Sequence, residues 1–249
     1  LIAQEEIAPR IFSMVLKGEM VEQMLAGQFL HIRVPDDSKL LRRPISISEI
    51  DPDRHTCRLI YRVEGGGTAI FSQLPFGSFL SVMGPQGNGF DLKGLGQGAR
   101  ALIIGGGIGV PPLVQVAKQL HEQGVEVHSV LGFSTKEAVI LEEELKQYGQ
   151  VTITTDDGSY GIQGNVSTVV ETLNEDIDAV YSCGAPGMLK YVNSKFYDHP
   201  RAYISMESRM ACGMGACYAC VVHLENASQA ANKRVCEDGP VFETGTIVM

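Results

Sequence analysis

Three cysteines lie close together near the end of the chain, in the segment "MACGMGACYAC" at 210–220. Cys212, Cys217 and Cys220 have the spacing C-x4-C-x2-C, and Cys236 follows after fifteen further residues. A C-x4-C-x2-C run with a distant fourth cysteine is the plant-type arrangement of [2Fe-2S] ligands. Small residues between the thiols leave the loop enough freedom and space to wrap such a cluster. The spacing therefore predicts a [2Fe-2S] centre on these four thiolates.

Two other interpretations of these cysteines remain open, a structural zinc site and free buried thiols. Zinc sites favour two C-x2-4-C pairs, whereas the second half of this pattern supplies one cysteine. Cys57 and Cys183 fall in predicted strands, and their spacing does not make them ligands. The first residues, "LIAQEEIAPR", are acidic and do not resemble a secretory signal, so we expect reduced thiols and a cytoplasmic protein.

The composition excludes several classes of partner. The chain has 249 residues, 44% of them hydrophobic, with a formal net charge of -9. An acidic chain without a Lys/Arg-rich run is a poor match for nucleic acid. The long apolar stretch at 101–114 is broken by Gly and Pro and falls short of the roughly 20 residues that a membrane span needs. We therefore expect neither nucleic-acid binding nor a membrane span.

The elements that must position the cysteines show three patterns. Short, alternating, β-branched runs before about Leu95 are typical of strands and predict an antiparallel barrel or sandwich; we predict a β-barrel domain over 1–97. The runs lie at 11–18, 27–34, 44–50, 56–63 and 78–84. Four strand and helix pairs, one of them with a helix over 138–149, then predict a doubly wound parallel sheet over 98–205. Residues 206–249 form a small Cys/Gly segment that we predict to hold the cluster.

The turn "GGGIGVPPL" at 105–113 follows a predicted buried strand and opens a predicted helix. Backbone N-H groups and the helix dipole at such a turn can hold the pyrophosphate of a dinucleotide. Gly105 and Gly107 match the fingerprint G-x-G-x-x-G, but Val110 occupies the third position, so a tight turn without a ligand stays an alternative. A second Gly/Pro turn, "SCGAPGML" at 182–189, ends a later strand of the same sheet, where open α/β sheets bind ligands.

The order of the motifs resembles that of the ferredoxin-NADP reductase superfamily. The motifs are "RRPISI" at 42–47, "GGGTAIFSQL" at 65–74, "GGGIGVPPL" and "CGAPGML". With "ESRMACGMGACYACVV" at 207–222 and "RVCEDGPVF" at 234–242, nearly the whole chain closely resembles the electron-transfer subunits of two-subunit bacterial dihydroorotate dehydrogenases, type B. The resemblance implies that the barrel binds FAD, the middle domain binds NAD and the C-terminal segment holds the cluster.

The resemblance also assigns residues to the two nucleotides. For FAD they are Arg43, Pro44, Ile45, Ser46, Ile60, Tyr61, Arg62, Gly67 and Thr68, and for NAD they are Gly105, Gly107, Gly109, Cys183 and Gly184. Arg43 would pair with a phosphate, and amides at Gly67 and Thr68 would meet the pyrophosphate. Plainer interpretations stand beside these: a structural arginine, an ordinary strand at 60–62, a simple glycine turn and a buried core thiol at Cys183.

The implied function is electron transfer between NAD(H), FAD and the cluster, to and from the FMN of a partner catalytic subunit that oxidises dihydroorotate to orotate in pyrimidine biosynthesis. The partner assembly would be a heterotetramer of two subunits of each kind. Two alternatives are an NAD(P)H reductase that serves a ferredoxin or oxygenase, and a non-enzymatic metal-binding or redox-sensing module. Many superfamily reductases end in an aromatic residue that covers the flavin; this chain ends "TGTIVM", so we expect the second subunit to cover it.

Charge near the predicted sheet edge favours NAD over NADP. Asp156 and Asp157 follow the third strand of the sheet, and a carboxylate there repels a 2'-phosphate. Ser134, Thr135 and Lys136, after the second strand, could still accommodate a phosphate. Of the histidines, we expect His31 and His223 to sit on strands as satisfied or exposed groups rather than in catalysis.

Overall fold

Six strands form an antiparallel sheet in the N-terminal part of the computed structural model, which describes residues 1–174, 176–225 and 231–249. The strands are β1 (Ala3–Ala8), β2 (Ile11–Lys17), β3 (Phe29–Ile32), β4 (Arg43–Asp51), β5 (Thr56–Arg62) and β6 (Val82–Gln86). Their spatial order is β1-β2-β5-β4-β3-β6, and each neighbouring pair is antiparallel. The predicted antiparallel architecture is confirmed. β1 was not predicted, because "AQEEIA" is largely polar.

Alternation along these strands builds one buried core. Met14, Leu30 and Leu59 are fully buried, because every second side chain points to the inner face of the sheet. The short helix α1 (Gly66–Phe71) follows β5 and places Phe71 in the same core. This shared core holds β4, β5 and α1 next to one another at one side of the sheet.

Seven strands form the second sheet. They are β7 (Arg100–Gly106), β8 (Glu126–Phe133), β9 (Gln150–Thr155), β10 (Ile162–Gln163), β11 (Ala179–Cys183), β12 (Ala202–Ser205) and, from the C-terminal segment, the last strand of the chain, β15 (Val241–Glu243). The order is β10-β9-β8-β7-β11-β12-β15, parallel except for β15. The predicted parallel sheet is confirmed. Its order reverses between β7 and β11, the point where open α/β sheets bind ligands.

Four helices pack against this sheet: α2 (Pro111–Glu122), α3 (Glu142–Leu145), α4 (Val166–Val170) and α5 (Pro186–Lys195). Apolar residues at helical spacing, among them Leu113, Val116 and Leu120, bury one side of α2. The helix expected over 138–149 is reduced to one α turn, since Leu141 takes a left-handed backbone conformation (φ 64°) just before it. No helix in the described parts of the chain has the length and apolar character needed to cross a membrane.

The C-terminal segment is joined to both larger parts of the molecule. β15 pairs with β12, and the hairpin of β13 (Val221–His223) and β14 (Asn232–Arg234) precedes it. Asn88 in the N-terminal part donates its amide N-H groups to the carbonyls of Glu237 and Asp238. Residues 226–230, between β13 and β14 in the chain, lie outside the described residues. The predicted domain boundaries at 97/98 and 205/206 stay predictions. β15 lies after the second boundary in the chain but pairs with β12 of the second sheet.

Candidate functional site

A cavity of about 230 Å³ lies where the two sheets and the C-terminal segment meet. All of the predicted flavin residues except Gly67 line it: Arg43, Pro44, Ile45, Ser46, Ile60, Tyr61, Arg62 and Thr68. The first four come from the start of β4 and the next three from the end of β5, the strand paired with β4. The structure thus brings together residues that the motifs only suggested, and their role toward a flavin stays a prediction.

Arg43 is held in place by its own loop and by α1. Its Nη1 donates to the carbonyls of Leu41 (2.7 Å) and Arg42 (3.3 Å). The guanidinium lies against Gly67, where a Cβ would come within 2.7 Å of Nε. Gly67 is therefore required for close packing of this arginine against the helix, which explains why the glycine belongs to the site without lining the cavity.

Tyr61 lines the cavity, but its side chain packs in the core of the first sheet. Its ring stacks on Phe12 and meets the edge of Phe71, and its hydroxyl donates to Gln4 Oε1 at 3.1 Å. Along β5 the neighbouring Ile60 packs in the other apolar cluster. The Tyr61 hydroxyl is therefore used within the first sheet, and a contact of Tyr61 with a flavin stays a prediction.

Thr68 organises the glycine turn before α1. Its Oγ1 accepts hydrogen bonds from the amides of Glu64 (3.1 Å) and Gly65 (3.3 Å) and donates to the Gly65 carbonyl. The hydroxyl is thereby used within the turn. A contact from Thr68 to a pyrophosphate would have to come from its backbone amide, as the sequence predicted.

The cavity has a further wall that the sequence did not identify. Met206, Glu207, Ser208 and Met210, just before the first cluster cysteine, line it. The chain itself therefore lines this side of the cavity, and the cover of the flavin by a second subunit stays a prediction. Glu207, Ser208 and Met210 lie in the quoted motif at 207–222, and Met206 comes just before it.

Glu207 is the carboxylate of that wall. Its surface is exposed to the open cavity, yet the surrounding protein raises its pKa by desolvation; repulsion from Glu64 adds to the shift and the positive charge of Arg62 opposes it. The exposed surface of Glu207 and its raised pKa are compatible, because the carboxylate stands in a recess that is open to solvent but surrounded by protein. Such a group holds a proton more readily than an ordinary surface glutamate.

A second cavity, of about 210 Å³, lies at the carboxyl ends of β7 and β8. Gly107, Ser134, Thr135 and Glu137 line it. Arg62 lines this cavity as well as the first one. The two cavities are therefore neighbours that share one arginine, the arrangement that transfer between two bound nucleotides requires.

The two glycine turns of the second sheet are in direct contact. A Cβ on Gly109 would come within 2.5 Å of the carbonyl of Cys183 and of Gly184 Cα, so Gly109 lets the turns approach. Gly105 packs closely against Val110 in the same way. α2 begins Pro111-Pro112, and these residues have no N-H. Amides for a pyrophosphate would therefore come mainly from the turn, with the helix adding its dipole.

Cys183 lies at the end of β11 with no exposed surface. Burial, with the negative charge of Glu207 as the next cause, raises the pKa of its thiol above the usual range. The thiol therefore remains protonated and unreactive. Its side chain is not among those that line either cavity, and the predicted nicotinamide contact at Cys183 and Gly184 stays a prediction.

The loops that were expected to select the nicotinamide cofactor are in contact. Asp157 N-H donates to the Ser134 carbonyl, and its Oδ1 accepts from the amide and hydroxyl of Ser159. Lys136 lies over the ring of Tyr160, at 5.8 Å from its centroid. The carboxylate that lines the cavity is that of Glu137, which the sequence analysis did not select. Hydrogen bonds to its own backbone and to the Thr135 hydroxyl lower its pKa, so it is ionised at neutral pH.

Backbone amides surround the sulfurs of the cluster segment. The Cys212 sulfur accepts from the amides of Met214 (3.5 Å) and Cys217 (3.4 Å), and the Cys236 sulfur accepts from Gly215 (3.2 Å). These amides, that of Met214 first, lower the pKa of Cys212 to about 7. Burial raises the pKa of Cys236 to about 11. The thiolate is the form that binds metal, and the amides stabilise it.

Two glycines shape the cluster segment. Gly213 (φ 69°) and Gly215 (φ 75°) take conformations that favour glycine, and a Cβ on either would collide with a neighbouring side chain. Among the residues that the structure describes, no three His, Cys, Asp or Glu side chains surround one point as ligands of a single metal ion would. A [2Fe-2S] cluster needs four thiolates spread over two irons, and the amide donors suit it.

Arg234, in β14, holds the cluster loop to the hairpin. Its Nη1 donates to the Gly215 carbonyl at 2.9 Å, and its guanidinium lies over the ring of Tyr218, 5.3 Å from the centroid. It also forms ion pairs with Glu237 (2.7 Å) and Asp238 (3.1 Å). The sequence analysis did not identify this residue, although it begins the "RVCEDGPVF" motif.

The two histidines that we expected on strands are both there. His223, in β13, is exposed and shares a hydrogen bond with Asn232 Oδ1 at 2.6 Å. His31, in β3, has no exposed surface, yet neither ring nitrogen has a hydrogen-bond partner in the described part of the chain. It is therefore buried but not satisfied, a different state from the one expected.

Three family models match the chain. The iron-sulfur cluster binding domain of dihydroorotate dehydrogenase B matches residues 207–248, an oxidoreductase NAD-binding domain matches 103–194 and an oxidoreductase FAD-binding domain matches 1–90. Each match coincides with one of the three structural parts described above. The segment with the cysteines thus matches a family-specific cluster domain.

The chain is similar over its full length to curated proteins named dihydroorotate dehydrogenase B (NAD(+)), electron transfer subunit. It is 68% identical to that of Streptococcus pneumoniae strain R6 and 48% identical to that of Enterococcus faecalis strain V583, covering 100% of this chain and 97% of each relative. Among solved structures, that of an NADH-dependent reduced ferredoxin-NADP oxidoreductase matches with a TM-score of 0.87 and 26% identity, over 99% of this chain and 88% of the other.

Proposed function

The chain belongs to the electron-transfer subunits of dihydroorotate dehydrogenase B, and from this membership we propose how its residues carry out the transfer. It has FAD-binding, NAD-binding and iron-sulfur cluster binding domains, and it is the electron-transfer part of an NAD-dependent oxidoreductase. A hydride carries two electrons and a [2Fe-2S] cluster takes one at a time, so FAD supplies the conversion between them.

The observation that supports this proposal best is the continuity of the three sites. We call the cavity of about 230 Å³ the flavin-side cavity and the cavity of about 210 Å³ the nicotinamide-side cavity. Arg62 lines both of them. Met210 lines the flavin-side cavity two residues before Cys212 and packs with Cys220 and Cys236. Each proposed site therefore shares at least one lining or packing residue with the next site, so that the carriers would be bound next to one another.

The protein's own residues position the carriers and exclude water. Arg43 and the turn before α1 would hold the phosphates of FAD, and Pro44 to Ser46 would lie along its ring system. The turn at Gly107 and the cavity with Glu137 would hold NAD, with the carboxylate against the ribose hydroxyls. Cys212, Cys217, Cys220 and Cys236 would hold the cluster. No residue of this chain is assigned to acid-base chemistry on dihydroorotate, which we place on the catalytic partner.

The name shared by the relatives implies a catalytic partner subunit. We propose that this partner carries FMN, that it exchanges electrons with the cluster, and that the two chains assemble as a heterotetramer with two of each. The exposed side chains of Met214, Cys217 and Tyr218 at the cluster loop support a partner on that side. We also propose a reducing, cytoplasmic location, since four of the six cysteines are assigned to a cluster rather than to disulfides.

Co-expression with the FMN subunit of the same bacterium tests the proposal. The purified complex should contain FAD, FMN, iron and sulfide, and it should reduce NAD with dihydroorotate. Isolated chains should reduce an artificial acceptor with NADH but should not oxidise dihydroorotate. A chain that purifies without an FMN partner and reduces a ferredoxin in its place would support the reductase alternative, and a colourless protein that contains zinc would contradict electron transfer.

A further inference from the structure

One face of β3 lies between the flavin-side cavity and the cluster segment. Phe29 lines the cavity and also packs in the apolar cluster that contains Cys220 and Cys236. Side chains two residues apart on a strand share a face, so His31 points the same way as Phe29, whereas Leu30 points into the core of the first sheet. His31 therefore lies on the face of β3 on which Phe29 contacts both the flavin-side cavity and the cluster segment.

The ring of His31 lies directly on the cluster loop. A Cβ built on Gly213 would overlap the Nδ1 of this ring and would also clash with its Cε1, at 2.9 Å. Gly213 has a left-handed backbone (φ 69°) and stands next to Cys212. The loop has thus been shaped to accept this ring, because no residue with a side chain fits at that position.

The ring has hydrogen-bonding groups with no described partner. His31 is fully buried, and its Nδ1 and Nε2 both lack a partner within the described residues. Burial lowers its pKa, and the charges of Arg42 and Arg43 add to this; the backbones of Arg42 and Cys212 oppose the shift without completing a bond of good geometry. A neutral imidazole has one N-H donor and one acceptor. Buried polar groups are seldom left without partners.

We infer that His31 is a positioning residue of the iron-sulfur centre, whose buried ring seats the Cys212–Cys217 loop on β3 and whose unpartnered N-H would donate to the cluster bound there. The inference rests on the proposed function, because it requires the cluster to be bound in this loop. Hydrogen bonds around the sulfurs and partners just outside the ligands tune a cluster's reduction potential. A donor stabilises the more negative, reduced form, so His31 should raise that potential.

The test uses the complete complex with its catalytic partner and four variants. His31→Leu and His31→Met remove the donor, and His31→Gln keeps an amide donor. His223→Gln is the control, since His223 is an exposed histidine of the cluster segment itself. The readouts are iron per chain, the EPR spectrum of the reduced cluster and its redox titration. FAD content is measured in each sample to show that the flavin site is intact.

We expect the Leu and Met variants to raise the oxidised-to-reduced ratio of the cluster about tenfold at a given potential, which equals about 59 mV for one electron. Their EPR spectra should change, while His31→Gln stays close to wild type and His223→Gln equals it. Should the Leu variant not fold, Met and Gln, of similar length, give the same comparison.

Two results would overturn the role of His31: apolar variants with wild-type potential and spectrum, or a Gln variant shifted as far as the apolar ones, which would indicate shape rather than donation. A wild-type complex without a [2Fe-2S] signal would overturn the proposed function itself. The two failures are therefore distinguishable.

Discussion

Arg43 Nε lies 2.7 Å from the position that a Cβ on Gly67 would occupy. This contact couples the first residue of β4 to the helix that follows β5, two segments that share the flavin-side cavity. It also shows why a short motif on each segment is needed for one site, since an arginine can approach a helix this closely only at a glycine.

Gly67→Ala should therefore displace the Arg43 guanidinium and weaken FAD binding by about tenfold, or about 1.4 kcal/mol. Gly96→Ala is the control, because nothing lies within 4 Å of a Cβ at that position and Gly96 lines neither cavity. Flavin fluorescence on titration of the apoprotein with FAD measures both. Equal affinities in the two variants would contradict the role of this contact.

Replacing Cys212, Cys217, Cys220 or Cys236 by Ala should remove iron or weaken its binding, because each supplies one of four thiolates. Cys57→Ala is the control, because Cys57 is buried in the core of the first sheet. The iron content of this variant should equal that of the wild-type protein. Iron and sulfide assays with the visible spectrum report the outcome. A Cys236 variant with a full, native-like cluster would show that the fourth ligand has been misassigned.

Arg234→Met should loosen the cluster loop, since it removes the bond to the Gly215 carbonyl and leaves Glu237 and Asp238 without this partner. We expect faster loss of iron to a chelator and a loss of about 1–3 kcal/mol in unfolding free energy. The neighbouring Lys233→Met, which breaks one longer ion pair with Asp238, is the control. Chelation at the same rate in both variants would argue that Arg234 does not hold the loop.

Glu137→Gln should relax the preference for NADH, because the ionised carboxylate in the second cavity repels a 2'-phosphate. The ratio of kcat/KM for NADPH to that for NADH should rise about tenfold, the effect of about 1.4 kcal/mol. Its lowered pKa keeps the carboxylate charged at neutral pH, so the wild-type preference should be flat there. Exposed Glu143→Gln serves as control. If Asp157→Asn changes the ratio and Glu137→Gln does not, the aspartate is the selecting residue.

Glu207→Gln should raise the Tm of the apoprotein at neutral pH by about 1 °C. The pKa of Glu207 is raised in the folded state, so the folded protein binds its proton more tightly and the ionised carboxylate costs stability at higher pH. The advantage of the Gln variant should shrink as pH falls through the folded pKa and disappear below the ordinary glutamate value of about 4.3. Melting curves across pH measure it; a constant difference at all pH values would exclude this titration as the cause.

Much of the fold and the site could be predicted because the signals are local. Alternating runs such as that of β5 and helical spacing such as that of α2 reflect which face of each element is buried, and cysteine spacing reflects the reach of one loop. β1 was missed since its residues are mostly polar, and the helix at 138–149 was overestimated because nothing in its composition reveals the left-handed Leu141.

Other features arise only from tertiary packing. The sequence by itself determined the motifs for nucleotide binding and the cysteines of the cluster, because each of these patterns depends mainly on residues that are close together in the chain. Tertiary structure decided that β15 pairs with β12, that Arg62 lines two cavities and that Gly213 receives His31 from a strand about 180 residues earlier. Such contacts depend on how whole sheets and loops are stacked, since their partners are distant in the chain and no local periodicity encodes the distance between them.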